Sequence, residues 1–223
     1  MKNQTSNNPV DSLKNNKCSD SSIEFCVKIA ADATLPTIFG EFRVVAFVNN
    51  IDNKDHVALI KGDVKDKENV YLRIHSECLT GDVFGSKRCD CREQLIAALK
   101  FISQKEYGAL IYLRQEGRGI GLSNKIKAYV LQEQGYDTSD ANLLLGFKED
   151  MRDYHLAAKM IELLNIKSVR LLTNNPKKIE DLKRYGIVVK ERIPIEIDPS
   201  EYNKSYLKTK KEKFGHLFRH IDG

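Results

Sequence analysis

The chain has 223 residues, 41% hydrophobic and 30% charged, which is long and apolar enough to bury a core and excludes a disordered, collagen-like or disulfide-scaffold polymer. Lys and Arg outnumber Asp and Glu by 36 to 31, a net charge of +5 that suits an anionic ligand but is too small to demand nucleic acid. No apolar run approaches the ~20 residues of a membrane span, and the N-terminus lacks the apolar stretch of a secretory leader, so a cytoplasmic protein without membrane contact is expected.

Residues 1–33 are expected to form a polar, disordered extension, because the Asn/Ser/Lys-rich start has almost no apolar anchors. Strands are predicted at 42–48, 56–60 and 70–75, each short and rich in β-branched or aromatic residues. A helix over 93–103 places Leu95, Ile96, Leu99 and Ile102 on one face, and a strand follows at 109–113. The next helix, 122–134, stops at Gly135, and another spans 155–165. A strand at 169–173 leads into a helix at 176–185, with Pro176 in its first turn and Gly186 past its end. A last strand is predicted at 187–191, and residues 203–223 read as a basic, mobile tail carrying Lys204, Lys208, Lys210, Lys211 and Lys213. Strands first, then strand–helix alternation, predict a single α/β (α+β) domain over 34–202, with a mixed β-sheet flanked by helices.

Five cysteines without an export signal favour reduced thiols or metal ligands over a disulfide framework. Cys78, Cys89 and Cys91 have a spacing that can gather three sulfurs at ~2.3 Å around zinc. Three readings stay open from spacing alone. One is a catalytic zinc with an open position, another a structural zinc completed by His75 or Cys26, and the last no metal at all.

The strand at 109–113 runs into RQEGRGIGL, where Gly117, Gly119 and Gly121 could bring N–H groups to an anion and Arg114 and Arg118 could grip phosphate. The spacing matches neither a P-loop nor a Rossmann fingerprint, and a solvated glycine turn is the plain alternative. Glu116 is out of place among phosphate ligands unless it accepts from the N–H edge of guanine. In TNNPKK, Lys177 and Lys178 stand in a first helical turn, where cations are unfavourable unless an anion shares the site. In KEDMRDYH, Asp153 is the expected helix cap, which leaves Asp150 as a candidate base and Arg152 beside it, or else a plain ion-pair cluster.

Together RIHSECLTGD, RCDC, RQEGRGIGL, NKIKAY, QGYDT, LGF, RDY and LLTNNPKK, in order from about Leu35 to Leu217, resemble GTP cyclohydrolase II of riboflavin synthesis. The resemblance implies hydrolysis of GTP to 2,5-diamino-6-(5-phosphoribosylamino)pyrimidin-4(3H)-one, formate and pyrophosphate. It implies one Zn2+ per chain on Cys78, Cys89 and Cys91, with Mg2+ accompanying the triphosphate. The GTP site would comprise Arg73, Ile74, His75, Ser76, Glu77, Gln94, Glu116, Gly117, Arg118, Thr138, Thr173 and Lys178, with Tyr129 near the purine. Asp150 would be the proton acceptor and Arg152 the assigned nucleophile, although a guanidinium attacks only as the scarce neutral form, so charge stabilisation is the other role. A homodimer is implied as well. The chain departs from the family pattern in its polar N-terminus, at Arg92 after the C-x-C and at Met151, and with 34 upstream residues a monofunctional form is expected. Two rivals remain. One is a variant that keeps the formyl group. The other is a non-catalytic zinc module binding RNA through the basic tail, which leaves Glu116 and Asp150 without a role.

Overall fold

The computed structural model describes residues 18, 25–148 and 150–218, apart from the side chains of Thr138 and Ser205. Within them one sheet is built from β1 (Val27–Thr37), β2 (Gly40–Asn49), β3 (His56–Lys61), β4 (Val70–Ser76), β5 (Gly108–Leu113), β6 (Val169–Leu172) and β7 (Val189–Ile193). Their spatial order is β1-β2-β3-β5-β4-β6-β7. The pairs from β1 to β5 are antiparallel, and those joining β5, β4, β6 and β7 are parallel. The helices are α1 (Leu79–Asp82), α2 (Cys91–Ser103), α3 (Leu122–Glu133), α4 (Thr138–Leu144), α5 (His155–Leu163), α6 (Pro176–Arg184) and α7 (Lys204–Glu212). No helix among the described residues is long and apolar enough to cross a membrane.

Strand alternation sorts the core into two layers. Val70, Leu72 and Ile74 of β4 face one side, where Leu156, Met160 and Ile161 of α5 and Leu182 of α6 cover them. On the opposite face, Ala98, Leu99 and Ile102 of α2 meet Phe42, Leu110, Leu172 and Ile195. Arg73 and His75 alternate with the apolar β4 residues, so both stand buried on the α2 face. After β4 the chain crosses through α2 to β5 on one side, and later returns to place β6 on the other. A crevice at the carboxyl ends of β4, β5 and β6 follows from that reversal of direction.

The mixed α/β architecture matches the expectation, and three local readings are corrected. Residues 27–33, expected in the disordered extension, belong to β1, which pairs with β2 from Val27↔Asn49 to Thr37↔Gly40. Its side chains are mostly exposed, so the ladder rather than burial holds it and the apolar signal is weak. The expected mobile tail contains α7, anchored by the buried Leu207. Cys18 and Cys26 form a disulfide, with a Cα–Cα distance of 5.9 Å, so those two thiols are not free. The unpredicted α4 is short, and its signal is local: the Asp137 carboxylate caps it by accepting from the N–H groups of Ser139 and Asp140. The remainder of the 1–33 extension and residues 219–223 lie outside the described residues.

Candidate active site at the sheet crevice

Cys78, Cys89 and Cys91 come together where β4 ends and α2 begins, with their sulfurs all within 4.8 Å of one another. Cys78 precedes the first turn of α1 and Cys91 opens α2. Gly81 makes the convergence possible: a Cβ there would sit 2.9 Å from the Cys89 sulfur and 3.1 Å from that of Cys78. Cys89 and Cys91 lend S–H donors to the Cys78 sulfur, which holds Cys78 well below the usual thiol range. The same donation, with burial, pushes Cys89 up to about 11 and Cys91 upward as well. A dication bound there would favour the thiolate form of all three.

Around the cluster, hydrogen bonds fix each element. Lys125 of α3 donates to the Cys78 sulfur at 3.1 Å, to Thr80 Oγ1 at 3.0 Å and to Glu116 Oε1 at 2.7 Å. Burial opposes the Lys125 charge, but Cys78 and Glu116 outweigh it and raise its pKa. Glu116 also accepts from the Leu79 N–H at 2.6 Å and from the Gly117 N–H at 2.8 Å. Its carboxylate therefore anchors α1 to the cluster. Asp82 does the same on the other side, accepting from the Cys78 N–H, from Tyr112 Oη at 2.7 Å and from His75 Nε2 at 3.1 Å. Neither His75 nor Cys26 joins the three thiols, so among the described residues the donor set stops at three.

The glycine-rich loop has a different role from the one its sequence indicates. Gly117, Arg118, Gly119 and Gly121 have φ of 64°, 60°, 94° and 84°, the left-handed region that a sharp turn requires. Their loop is hydrogen-bonded to itself: the Gly119 N–H donates to Gln115 O and the Gly121 N–H to Glu116 O. These glycines shape the turn and do not present free N–H groups to an anion. Arg114 is half exposed, lies 3.7 Å from Glu77 and stays outside the walls of both cavities described next.

A cavity of about 480 Å³ opens over the thiols and is lined by Glu77, Glu116, Gly117, Lys125 and Tyr129 among others. A smaller pocket of about 70 Å³ adjoins it, the two sharing Ser76, Cys91, Arg118, Arg152 and Tyr206. The smaller pocket brings together Arg73, Arg118, Arg152, Lys178 and Lys210 with His75, Gln94 and Thr173, and none of its described lining residues is a carboxylate. Lys178 is buried with its ammonium on Ile74 O at 2.7 Å. Burial, then Arg73 and Arg152, pull its pKa well down. Arg73 Nε, His75 Nδ1 and Arg118 Nη1, on side chains that line this pocket, are buried without a hydrogen-bond partner among the described residues. Such a site is built to receive negative charge.

Arg152 forms a two-pronged pair with Asp150, Nε to Oδ1 at 2.9 Å and Nη2 to Oδ2 at 2.6 Å. Burial resists both charges, yet the pair lowers the Asp150 pKa and raises that of Arg152. Asp153 accepts from the His155 N–H at 2.6 Å and so supports the start of α5, one residue before the cap position itself. Ile74 contributes its carbonyl rather than its side chain, which lies in the core. Thr138 heads α4, and its side chain lies outside the described residues. Sequence reasoning passed over Lys125 as a cluster ligand partner, and over Asp82, Asp90 and the wall residues of α7. The C-D-C spacing was the one signal for Asp90.

The model of the GTP cyclohydrolase II family matches residues 28–194. A GTP cyclohydrolase-2 from Picrophilus torridus is 53% identical over 192 residues, covering 86% of this chain and all of that protein. The riboflavin biosynthesis protein RibBA of Bacillus subtilis is 55% identical over 192 residues, and that of Bacillus cereus 54% over 194. This chain spans about half the length of those two Bacillus relatives, 48% and 49%.

Proposed function

We propose, for a chain that belongs to the GTP cyclohydrolase II family, that the two joined cavities open the purine ring of GTP and remove formate and pyrophosphate. The product would be 2,5-diamino-6-(5-phosphoribosylamino)pyrimidin-4(3H)-one, made for riboflavin biosynthesis. The observation that carries this reading is the adjacency of a three-thiol cluster to a cation-rich pocket through shared walls. A purine nucleotide spans such a pair of sites, its base over the sulfurs and its phosphates among the cations.

Cys78, Cys89 and Cys91 fit a zinc ion, being three buried or half-buried sulfurs gathered where Gly81 leaves no room for a Cβ. Zinc held there would supply polarisation of water for attack on the base, at C8 and again at the formyl carbon. The chain's own groups do the rest. Lys125 offsets part of the charge of three thiolates, and Tyr129, 3.4 Å from Thr80 through its hydroxyl, borders the space for the base. Arg73, Arg118 and Lys178 hold the phosphates, and Mg2+ would arrive with the nucleotide, since the smaller pocket offers no carboxylate among its described lining residues.

For Arg152 the pairing favours charge stabilisation over covalent attack. Losing its proton would cancel the charge that strengthens both bonds to Asp150, at a group whose pKa is already raised. Asp150 then acts by orienting the guanidinium while water attacks the α-phosphorus. A cytoplasmic homodimer without nucleic-acid or membrane partners completes the proposal. The test is incubation of the zinc-loaded protein with Mg·GTP, following pyrimidine absorbance, formate and pyrophosphate. All three should appear together and stop on chelation. A ring-opened product without formate would leave the formyl-retaining reaction, and no consumption of GTP would overturn the assignment.

A further inference from the structure

The segment after residue 194, beyond the family match, closes the cation-rich pocket. Tyr206, Lys210, Phe214 and His216 stand in its wall. Three latches hold the segment in place. Lys210, buried, donates to Asp90 Oδ1 at 2.6 Å; Lys213 reaches Asp137 at 2.6 Å; and the Leu217 N–H donates to Asn174 O at 2.8 Å. The Lys210 latch goes further than holding a helix. Asp90 Oδ2 accepts from Gln94 Nε2 at 2.5 Å, and Gln94 Oε1 accepts from Arg73 Nη2 at 2.6 Å. The other Arg73 prong, Nη1, donates to Leu172 O at 2.9 Å, and its buried Nε has no partner among the described residues. On the far wall, the Arg118 guanidinium lies 4.2 Å from the Phe214 ring centre.

We propose that the C-terminal segment is a functional wall of this pocket and that Lys210 is a positioning residue, fixing the Arg73 guanidinium for phosphate through Asp90 and Gln94. The physical reason is orientation. Asp90 sits between two cationic demands, and without Lys210 its carboxylate is free to turn toward Gln94 and Arg73 alone, which releases the fork from its present plane. The inference rests on reading the smaller pocket as the phosphate site, so its test must separate the two.

Inorganic tripolyphosphate is the probe, measured by calorimetry beside KM and kcat for GTP, metal content and thermal unfolding. The full native chain should bind tripolyphosphate; if it does not, the phosphate reading itself fails. With native binding established, Lys210→Met should weaken tripolyphosphate and raise KM by roughly 10- to 100-fold, the usual effect of losing an outer-shell partner. Zinc content should stay at the native level. Lys210→Met should add little in an Arg73→Met background, because both act through one guanidinium. Native-like affinity and KM in a folded Lys210→Met chain, or full additivity with Arg73→Met, would overturn the proposal. Should Lys210→Met not fold, Phe214→Ala removes only the ring beside Arg118. Reduced tripolyphosphate affinity would then support the wall, and unchanged affinity would refute it.

Discussion

Gly81→Ala tests whether the close approach of α1 is what gathers the thiols. Gly81 is buried, and the added methyl would meet Cys89 Sγ at 2.9 Å, Cys78 Sγ at 3.1 Å and Cys91 Cβ at 3.1 Å. Ordinary contact needs ~3.5–4 Å, so each neighbour must retreat by about half an ångström or more. In a metal-free chain the sulfurs can turn aside in part. With zinc bound they cannot, because Zn–S distances tolerate only about ±0.2 Å. Overpacking costs about 1–3 kcal/mol, against which the better helix propensity of alanine returns at most ~1 kcal/mol in so short a helix. The expected net loss, up to about 2 kcal/mol after a full return of the helix term, lowers the melting temperature by as much as roughly 8 °C in a chain of this size. Zinc affinity, read by competition with a chromophoric chelator, should fall at least tenfold, so the gap in stability between variant and parent widens when metal is present. Gly146→Ala is the control: its φ of 82° strains alanine, but nothing lies within 4 Å, so stability should drop without change in zinc affinity. A Gly81→Ala chain that binds one zinc at parental affinity and melts no lower than its parent would refute the reasoning.

Three further outcomes follow from the same geometry. Arg152→Lys keeps a charge but loses the two-pronged pair with Asp150, and kcat for GTP should fall about 100-fold or more; near-normal turnover would remove Arg152 from the chemistry. Lys125→Met leaves the Cys78 sulfur without its ammonium donor, and a Co2+-substituted protein should show a shifted sulfur-to-metal charge-transfer band, with metal affinity about tenfold lower. An unmoved band would deny Lys125 any hold on the cluster. Burial pulls His56 and His75 below their usual pKa despite Asp52 and Asp82, and burial takes His216 down to about 2. The unfolded chain then gains protons near pH 6.5 that the folded chain does not, so stability is full above that pH and lost as pH falls, by as much as ~2 kcal/mol per histidine at pH 5. Urea unfolding of zinc-free protein at pH 7.5 and pH 5 measures this, and equal midpoints would contradict it. Asp90 and Asp150, whose pKa values are lowered, contribute only in the more acid range below ~3.9 and do not enter that window.

How much could be read from the chain alone depended on whether a residue's partner was close in sequence. The helices α2, α3 and α6 were legible because apolar spacing, a Pro at the start and a Gly past the end are local signals, and Gly135 and Gly186 do take φ of 99° and 82°. The C-x-C pair and the distant Cys78 were legible as one group because thiols are scarce and their chemistry is narrow. By contrast β1 announces itself poorly: nearly every side chain from Lys28 to Pro36 faces solvent at least in part, and the ladder to β2 does most to order it. Glu116 was legible only in part. Its residue type signalled a hydrogen-bond acceptor, but nothing local reveals that Leu79 and Lys125 would reach it first.

Lys210 was the hardest to read. A lysine among five in a polar stretch looks like solvated charge, and only the fold carries it 120 residues back to a carboxylate lodged between two thiols. That contrast explains why ligand type is easier to infer than ligand setting. The atoms that can bind a cation or a phosphate are fixed by residue chemistry. The atoms that set their charge and angle are ordinary Asp, Gln and Lys groups recruited across the sheet crevice, where β4, β5 and β6 end together. Substitutions that spare every thiol and arginine but alter this outer layer should therefore change nucleotide affinity more than they change the unfolding temperature. Lys210→Met probes that layer directly, and because it also leaves the buried Asp90 carboxylate without its cation, its loss of affinity is to be read beside its own loss of unfolding temperature.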